Sequence, residues 1–220
     1  VNADPMEIVE IKWVDDSNLI FLARQQVREM IDGFNEGVYE FRIALVDLEA
    51  RKIHGFNERD PSLVSTLPNK KNKILISFAE GTGGGVGAKL QEAFRPRAYW
   101  EFDLKTGSKK LLIRGKLLLG NIDFDRDGNP ALARGFDLAS REYLWFWRPE
   151  NTGEWKEFYR QSEDAFEGFR VFGLDPQVPG NLIVEANRNA NTSGLWSFDP
   201  DTRGFSELLY HRNDVDICGV

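Results

Sequence analysis

Apolar and polar residues alternate along this chain in short runs, interrupted by clusters of Asp, Asn, Gly and Pro. That is the pattern of half-buried strands joined by tight turns. One arrangement returns four times: a strand-like run, a polar turn, a second strand, then an aromatic-rich strand that ends in an acidic turn. The four copies of the last element are Ile43-Ala44-Leu45-Val46-Asp47, Tyr99-Trp100-Glu101-Phe102-Asp103, Leu144-Trp145-Phe146-Trp147-Arg148 and Leu195-Trp196-Ser197-Phe198-Asp199. Their turn positions 47, 103, 148 and 199 lie 56, 45 and 51 residues apart. Repeats of that length, each built of strands, predict the blades of a β-propeller.

Four strands are predicted in each unit. The first unit takes 7–13, 18–23, 40–47 and 52–57; the second takes 62–67, 73–79, 98–103 and 109–113. The third takes 117–124, 130–136, 142–147 and 155–160; the fourth takes 170–174, 181–187, 195–198 and 205–210. The blade-like units thus cover about 7–57, 62–114, 117–160 and 169–212 of a single all-β domain over 1–220. The alternating tail 213–220 reads as the start of a further strand, so the chain is expected to be a fragment of a larger propeller. Prolines fall mainly in turns or at strand starts, where no ladder N–H is missed. Two long insertions, 24–34 with some helical spacing and 80–97 with its run of glycines, separate the second and third strands of the first two units. Loops on a rigid scaffold are where partners are usually met, which makes that end of the sheets the expected binding side.

Composition narrows the function classes. With 41% apolar and 12% aromatic residues there is material for a packed interior, and the net charge of −7 supplies no basic footprint for nucleic acid. No apolar run has the length of a membrane helix. The single Cys218 excludes an internal disulfide and any multi-cysteine metal site, and His54 and His211 are the only histidines. No cofactor, metal, nucleic-acid or membrane partner is expected.

The segments Lys12-Trp13-Val14-Asp15-Asp16-Ser17-Asn18-Leu19-Ile20, Tyr99-Trp100-Glu101-Phe102-Asp103-Leu104-Lys105-Thr106-Gly107, Gly173-Leu174-Asp175-Pro176 and Gly194-Leu195-Trp196-Ser197-Phe198-Asp199-Pro200-Asp201-Thr202 carry a resemblance. With Glu207 to Asp216, they are similar to the N-terminal β-propeller of bacterial S9 (prolyl oligopeptidase family) serine peptidases, of the dipeptidyl or acylaminoacyl peptidase kind. The resemblance implies a seven- or eight-bladed propeller that caps a following α/β-hydrolase domain and admits short peptides. It also implies a catalytic triad in that domain, in a bacterial cytoplasmic or periplasmic enzyme. No Gly-x-Ser-x-Gly elbow occurs in the 220 residues, so this chain alone is expected to have no catalysis. Its expected partners are peptide substrates of the parent enzyme, the hydrolase domain and, through open sheet edges, other copies of itself. The rival reading is a self-contained four-bladed binding module, disfavoured by the strand-like tail and by the lack of a cysteine pair to clasp its ends.

Individual motifs have plainer roles. Asp123-x-Asp125-x-Asp127-Gly128 copies the opening of a calcium loop, but Arg134 stands where that loop needs a bidentate Glu, so an acidic hairpin turn is the simpler reading. The glycines at 81–87 lack a Gly-Lys-Ser/Thr ending and read as a hairpin loop. Trp145, Trp147, Trp155 and Trp196 read as packing between blades. The candidate substrate-facing residues are the loop arginines Arg24, Arg28, Arg95 and Arg97, whose guanidinium groups suit a peptide carboxylate.

Overall fold

The computed structural model describes residues 6–28, 38–56, 58, 61–79, 96–116, 118–149, 153–165, 168–188 and 190–217. These residues form sixteen strands and no helix: β1 (Glu7–Trp13), β2 (Asn18–Arg28), β3 (Val38–Asp47), β4 (Lys52–Gly55), β5 (Ser62–Ser65), β6 (Lys73–Ala79), β7 (Arg97–Asp103), β8 (Lys109–Arg114), β9 (Asn121–Phe124), β10 (Pro130–Asp137), β11 (Glu142–Trp147), β12 (Lys156–Ser162), β13 (Phe169–Leu174), β14 (Leu182–Ala186), β15 (Gly194–Asp199) and β16 (Gly204–His211). They pair in chain order into four antiparallel sheets of four strands each. The chain divides into two compact units, one holding the first two sheets and the other the last two.

In the first unit the two sheets share an aliphatic core. Ile20, Ile43 and Leu45 from the first sheet meet Ile74 and Ile76 from the second, with Phe56 of the connecting segment between them. β-branched residues that stand perpendicular to a pleated surface fill such an interface at little rotamer cost. In the second unit the corresponding core is aromatic. Trp145, Trp147 and Phe158 of the third sheet pack on Phe169, Leu182, Val184 and Phe198 of the fourth. Phe169 is the hub, with ring centroids of Tyr159 at 3.6 Å, Trp145 at 5.5 Å, Phe198 at 5.6 Å and Phe205 at 6.4 Å.

The turns after the third strands explain the repeat. Asp47, Asp103 and Asp199 each turn a carboxylate back onto backbone N–H groups of the following residues, at 2.8 Å to Ala50, 2.9 Å to Thr106 and 2.9 Å to Asp201. Four residues after each Asp the backbone becomes left-handed, at Arg51, Gly107 and Arg203. In the turn after β11 the left-handed residue is Gly153, which places the equivalent of Asp47 at Pro149 and not at the expected Arg148; the Asp arrangement itself recurs one hairpin earlier, where Asp137 accepts the Ala139 N–H at 2.9 Å and Arg141 is left-handed. The faces agree with this one-residue offset. Trp145 and Trp147 occupy the side that Ile43 and Leu45 occupy in the first sheet, packed on the sheet that follows. Arg148, lacking the Asp role, stands over the Trp155 ring at 5.7 Å.

Other expectations are corrected at their ends. β2 continues to Arg28, paired through Arg24↔Phe41 and Arg28↔Val38, so Arg24 lies on a strand and not in a loop. The strand expected from Leu117 begins only at Asn121, because Lys116 and Leu119 close a small bridge. That bridge crosses β10 at Gly135, where a Cβ would stand 1.9 Å from the Leu118 carbonyl oxygen. Residues 213–215 form a bend and 216–217 run on without strand pairing, and 218–220 lie outside the described residues. The tail is tied back instead: the Ser193 N–H donates to Asp216 at 2.8 Å, and the Thr192 hydroxyl donates to the Arg212 carbonyl.

Candidate functional site

The four candidate arginines do not share one environment. Arg97, at the start of β7, donates from Nε to the Ser77 hydroxyl at 3.0 Å. Its terminal nitrogen donates to the Ser77 carbonyl at 2.6 Å and the Ser62 hydroxyl at 3.0 Å. It therefore ties β5, β6 and β7 together. Arg24 pairs with Glu7 across β1 and β2 at 2.8 Å and lies 5.0 Å over the Tyr39 ring. Glu7 holds the Arg24 guanidinium above its usual range, through the hydrogen bond first and the charge second. Arg28 ends β2 opposite Val38, and Arg95 lies outside the described residues, as do the glycines at 81–87.

A cavity within the first unit lies at the opposite end of the sheets, where the short turns are. It measures about 800 Å³ and opens between the first and second sheets. Asp15, Asp47 and Glu49 line one wall, Lys71 and Lys105 the other, and Phe56 and Phe102 the floor. The two phenyl rings meet edge to face at 4.5 Å. Most of its carboxylates are committed to local structure. Burial pushes Asp15 up, but the backbone N–H groups of Ser17 and Asn18, the Asn18 amide and the Lys71 charge together hold it below the usual carboxylate range. Glu49 accepts the Ser17 hydroxyl at 2.7 Å. Sequence reasoning passed over this cleft. Its signal was the opposed Asp-Asp-Ser-Asn at 15–18 and Lys-Lys-Asn at 70–72, both placed in turns by the strand pattern.

A second charged cluster is structural in character. Glu101 is buried on β7 and accepts from Lys70 at 2.8 Å and Lys73 at 2.5 Å. Burial raises its proton affinity, yet the two lysine hydrogen bonds and charges outweigh burial, so its carboxyl is held below the usual range.

The acidic run of the third unit is spread out. Asp125 accepts the Asn129 N–H at 2.8 Å and the Asn129 amide at 3.0 Å, which closes its hairpin turn. Asp123 sits on β9 opposite Leu132, where desolvation pushes its carboxyl up against the opposing pull of Arg134. Among the described residues no three His, Cys, Asp or Glu side chains come together as a metal site. His54 is exposed on β4 opposite Leu45, and His211 meets the Thr192 hydroxyl at 3.0 Å. These arrangements hold strands together.

No family model matches the sequence, and no curated protein matches it. Solved structures do. The acylaminoacyl peptidase of Pyrococcus horikoshii is similar over 94% of this chain and 32% of its own, at 14% identity and a TM-score of 0.53. A prolyl endopeptidase studied for inter-domain dynamics is similar over 84% of this chain and 25% of its own, at 10% identity and a TM-score of 0.50. The β-propeller domain of the Trilobed protease from Pyrococcus furiosus is similar over 88% of this chain and 68% of its own, at 12% identity and a TM-score of 0.44. The chain thus spans about a third of the length of the first peptidase and a quarter of the second. At such identities the likeness is one of fold. The chain has a β-propeller fold of four-stranded antiparallel sheets, shared with the acylaminoacyl peptidase and the prolyl endopeptidase.

Proposed function

We infer that this chain is the non-catalytic propeller region of an S9-type serine peptidase, where it restricts and orients peptide substrates for an α/β-hydrolase domain carried elsewhere in the protein. The observation that carries the reading is the match of nearly the whole chain to a minor part of an acylaminoacyl peptidase. It is supported by the order of the sequence motifs that resemble that family and by the lack of a Gly-x-Ser-x-Gly elbow in the 220 residues. In this reading the propeller contributes steric selection, and the chemistry belongs to a serine outside it. Arg24, Arg28, Arg95 and Arg97 remain the proposed contacts for substrate carboxylates. Because Arg97 is already engaged by Ser62 and Ser77, Arg28 and Arg95 are the preferred positions for substitution.

Two measurements test this. Purified 220-residue protein is expected to leave a dipeptide amide intact; turnover that a serine-directed inhibitor abolishes would refute the assignment. The complete natural reading frame is expected to contain Gly-x-Ser-x-Gly followed by Asp and His. A frame without a hydrolase domain contradicts the reading.

A further inference from the structure

We propose that the cleft between the first and second sheets binds short peptides that have two free ends and an apolar side chain. The wall of the first sheet takes the peptide ammonium, and the wall of the second takes its carboxylate. The comparison that singles out this cleft lies inside the chain. His54 pairs with Leu45 as Lys156 pairs with Trp147, so His54 and Gly55 hold the places of Lys156 and Glu157. Counted from Asp103 and Asp199, Lys105 and Gly107 hold the places of Asp201 and Arg203. Beneath them the Phe56–Phe102 ring pair at 4.5 Å matches the Phe158–Phe198 pair at 5.7 Å.

In the second unit these four positions close the gap between the sheets. Lys156 pairs with Asp201 at 3.1 Å, and Arg203 donates to the Glu157 carbonyl at 2.9 Å. In the first unit neither link is available. His54 and Lys105 bring no carboxylate to each other, and Gly55 and Gly107 bring no side chain; a Cβ on either glycine would meet nothing within 4 Å. What is left is the cavity of about 800 Å³, a volume in the range of small-ligand sites.

The occupant follows from the charges that the lining leaves unpaired. Glu58 and Lys109 satisfy each other at 2.6 Å. Lys71 and Lys105 are exposed, and their ammonium groups have no hydrogen-bond partner among the described residues; Lys71 acts on Asp15 through its charge alone. Facing them, Asp16 is exposed and unbonded, and Asp47 and Glu49 each engage one carboxylate oxygen, with the Ala50 N–H and the Ser17 hydroxyl. A ligand that is only anionic would meet the carboxylates, and one that is only cationic would meet the lysines. A molecule charged at both ends suits both walls, through charge-assisted hydrogen bonds at each. Phe56, Phe102, Leu45 and Leu104 supply an apolar base for a side chain between those ends. A single amino acid carries both charges on one carbon, whereas each added residue separates them by about 3.8 Å, so opposed walls select a peptide. Both walls are open to solvent, which makes the affinity low, with a Kd on the order of 1 mM. The inference does not depend on the peptidase reading.

Nuclear magnetic resonance of the isotope-labelled 220-residue protein, titrated with the dipeptide Leu-Phe to about 10 mM, tests it. Saturable amide shifts are expected at 54–56, 71–72 and 104–107. N-acetyl-Leu-Phe, Leu-Phe amide and free phenylalanine should each bind roughly fivefold or more weakly, and Lys105→Met should weaken Leu-Phe to a similar degree. Lys110→Met, on β8 outside the cleft, should not. The double variant His54→Lys with Lys105→Asp rebuilds the ion pair of the second unit and should abolish binding at an unchanged Tm. Absence of saturable shifts overturns the proposal, as do shifts that fall outside the cleft. So does binding that ignores the capping of either end, that is as tight for free phenylalanine, or that survives in the double variant.

Discussion

The two compact units use the same four-strand topology with different cores. In the first, isoleucines, a leucine and Phe56 fill the space between sheets; in the second, tryptophans and phenylalanines predominate, with Phe169 in contact with five rings. Aliphatic side chains fit by shape alone. Aromatic rings add preferred edge-to-face geometries and polar edges that need partners. Trp196 finds one in the Ala186 carbonyl at 3.2 Å, whereas the Trp147 N–H is buried without a protein acceptor. The lesson is that this architecture constrains strand order and register, while the interface chemistry is free to vary.

The largest expected effect separates backbone from core. Gly135→Ala puts a methyl group into the Leu118 carbonyl and should cost more than about 3 kcal/mol, because backbone and not a flexible side chain must move. Urea denaturation would show it as a lowered midpoint. Phe169→Ala in the aromatic core should cost about 3–5 kcal/mol and Ile74→Ala in the aliphatic core about 2–5 kcal/mol. The sharper distinction is spectroscopic: the near-ultraviolet dichroism should collapse mainly for Phe169→Ala. Equal loss in both variants would mean that the two cores are not independent in the way described.

Glu101 gives a charge-based test within the first unit. Its carboxyl is held below the usual range when folded, so the stability it contributes is present above the ordinary carboxylate pKa and is lost as pH falls through the lower folded value. Acid unfolding monitored between about pH 5 and pH 2 should flatten in Glu101→Gln. Lys70 and Lys73 are about a third exposed, at 34% and 36%, so solvent screening limits the cost at neutral pH to about 1–2 kcal/mol. The smallest effect concerns a turn. Arg51 occupies a left-handed position that Gly107 and Gly153 fill elsewhere, and Arg51→Gly should stabilise the first sheet by up to about 1 kcal/mol, read as a raised Tm.

Much of this was written in the sequence, for reasons the residues make plain. β1, β6 and β11 begin and end where alternation and turn residues set them. In the third unit Leu144-Trp145-Phe146-Trp147 is apolar at every position, so hydrophobicity carries no phase there and leaves the turn position open by one residue. Phase is carried by the left-handed Gly153. Arg24 to Arg28 looked like a loop because charged and amide side chains on an extended strand pair break the apolar pattern without breaking backbone pairing. The role of Arg97 was hidden for another reason, since Ser62 and Ser77 come from two other strands and meet it only in three dimensions.

Amide hydrogen exchange of the purified chain, read strand by strand, tests the four-sheet account most directly. The inner pairs β2–β3, β6–β7, β10–β11 and β14–β15 have ladder partners on both sides and should exchange slowest in all four sheets, with β1, β5, β9 and β13 faster. Slow exchange confined to one unit's strands, or edge strands more protected than the strands they flank, would contradict it.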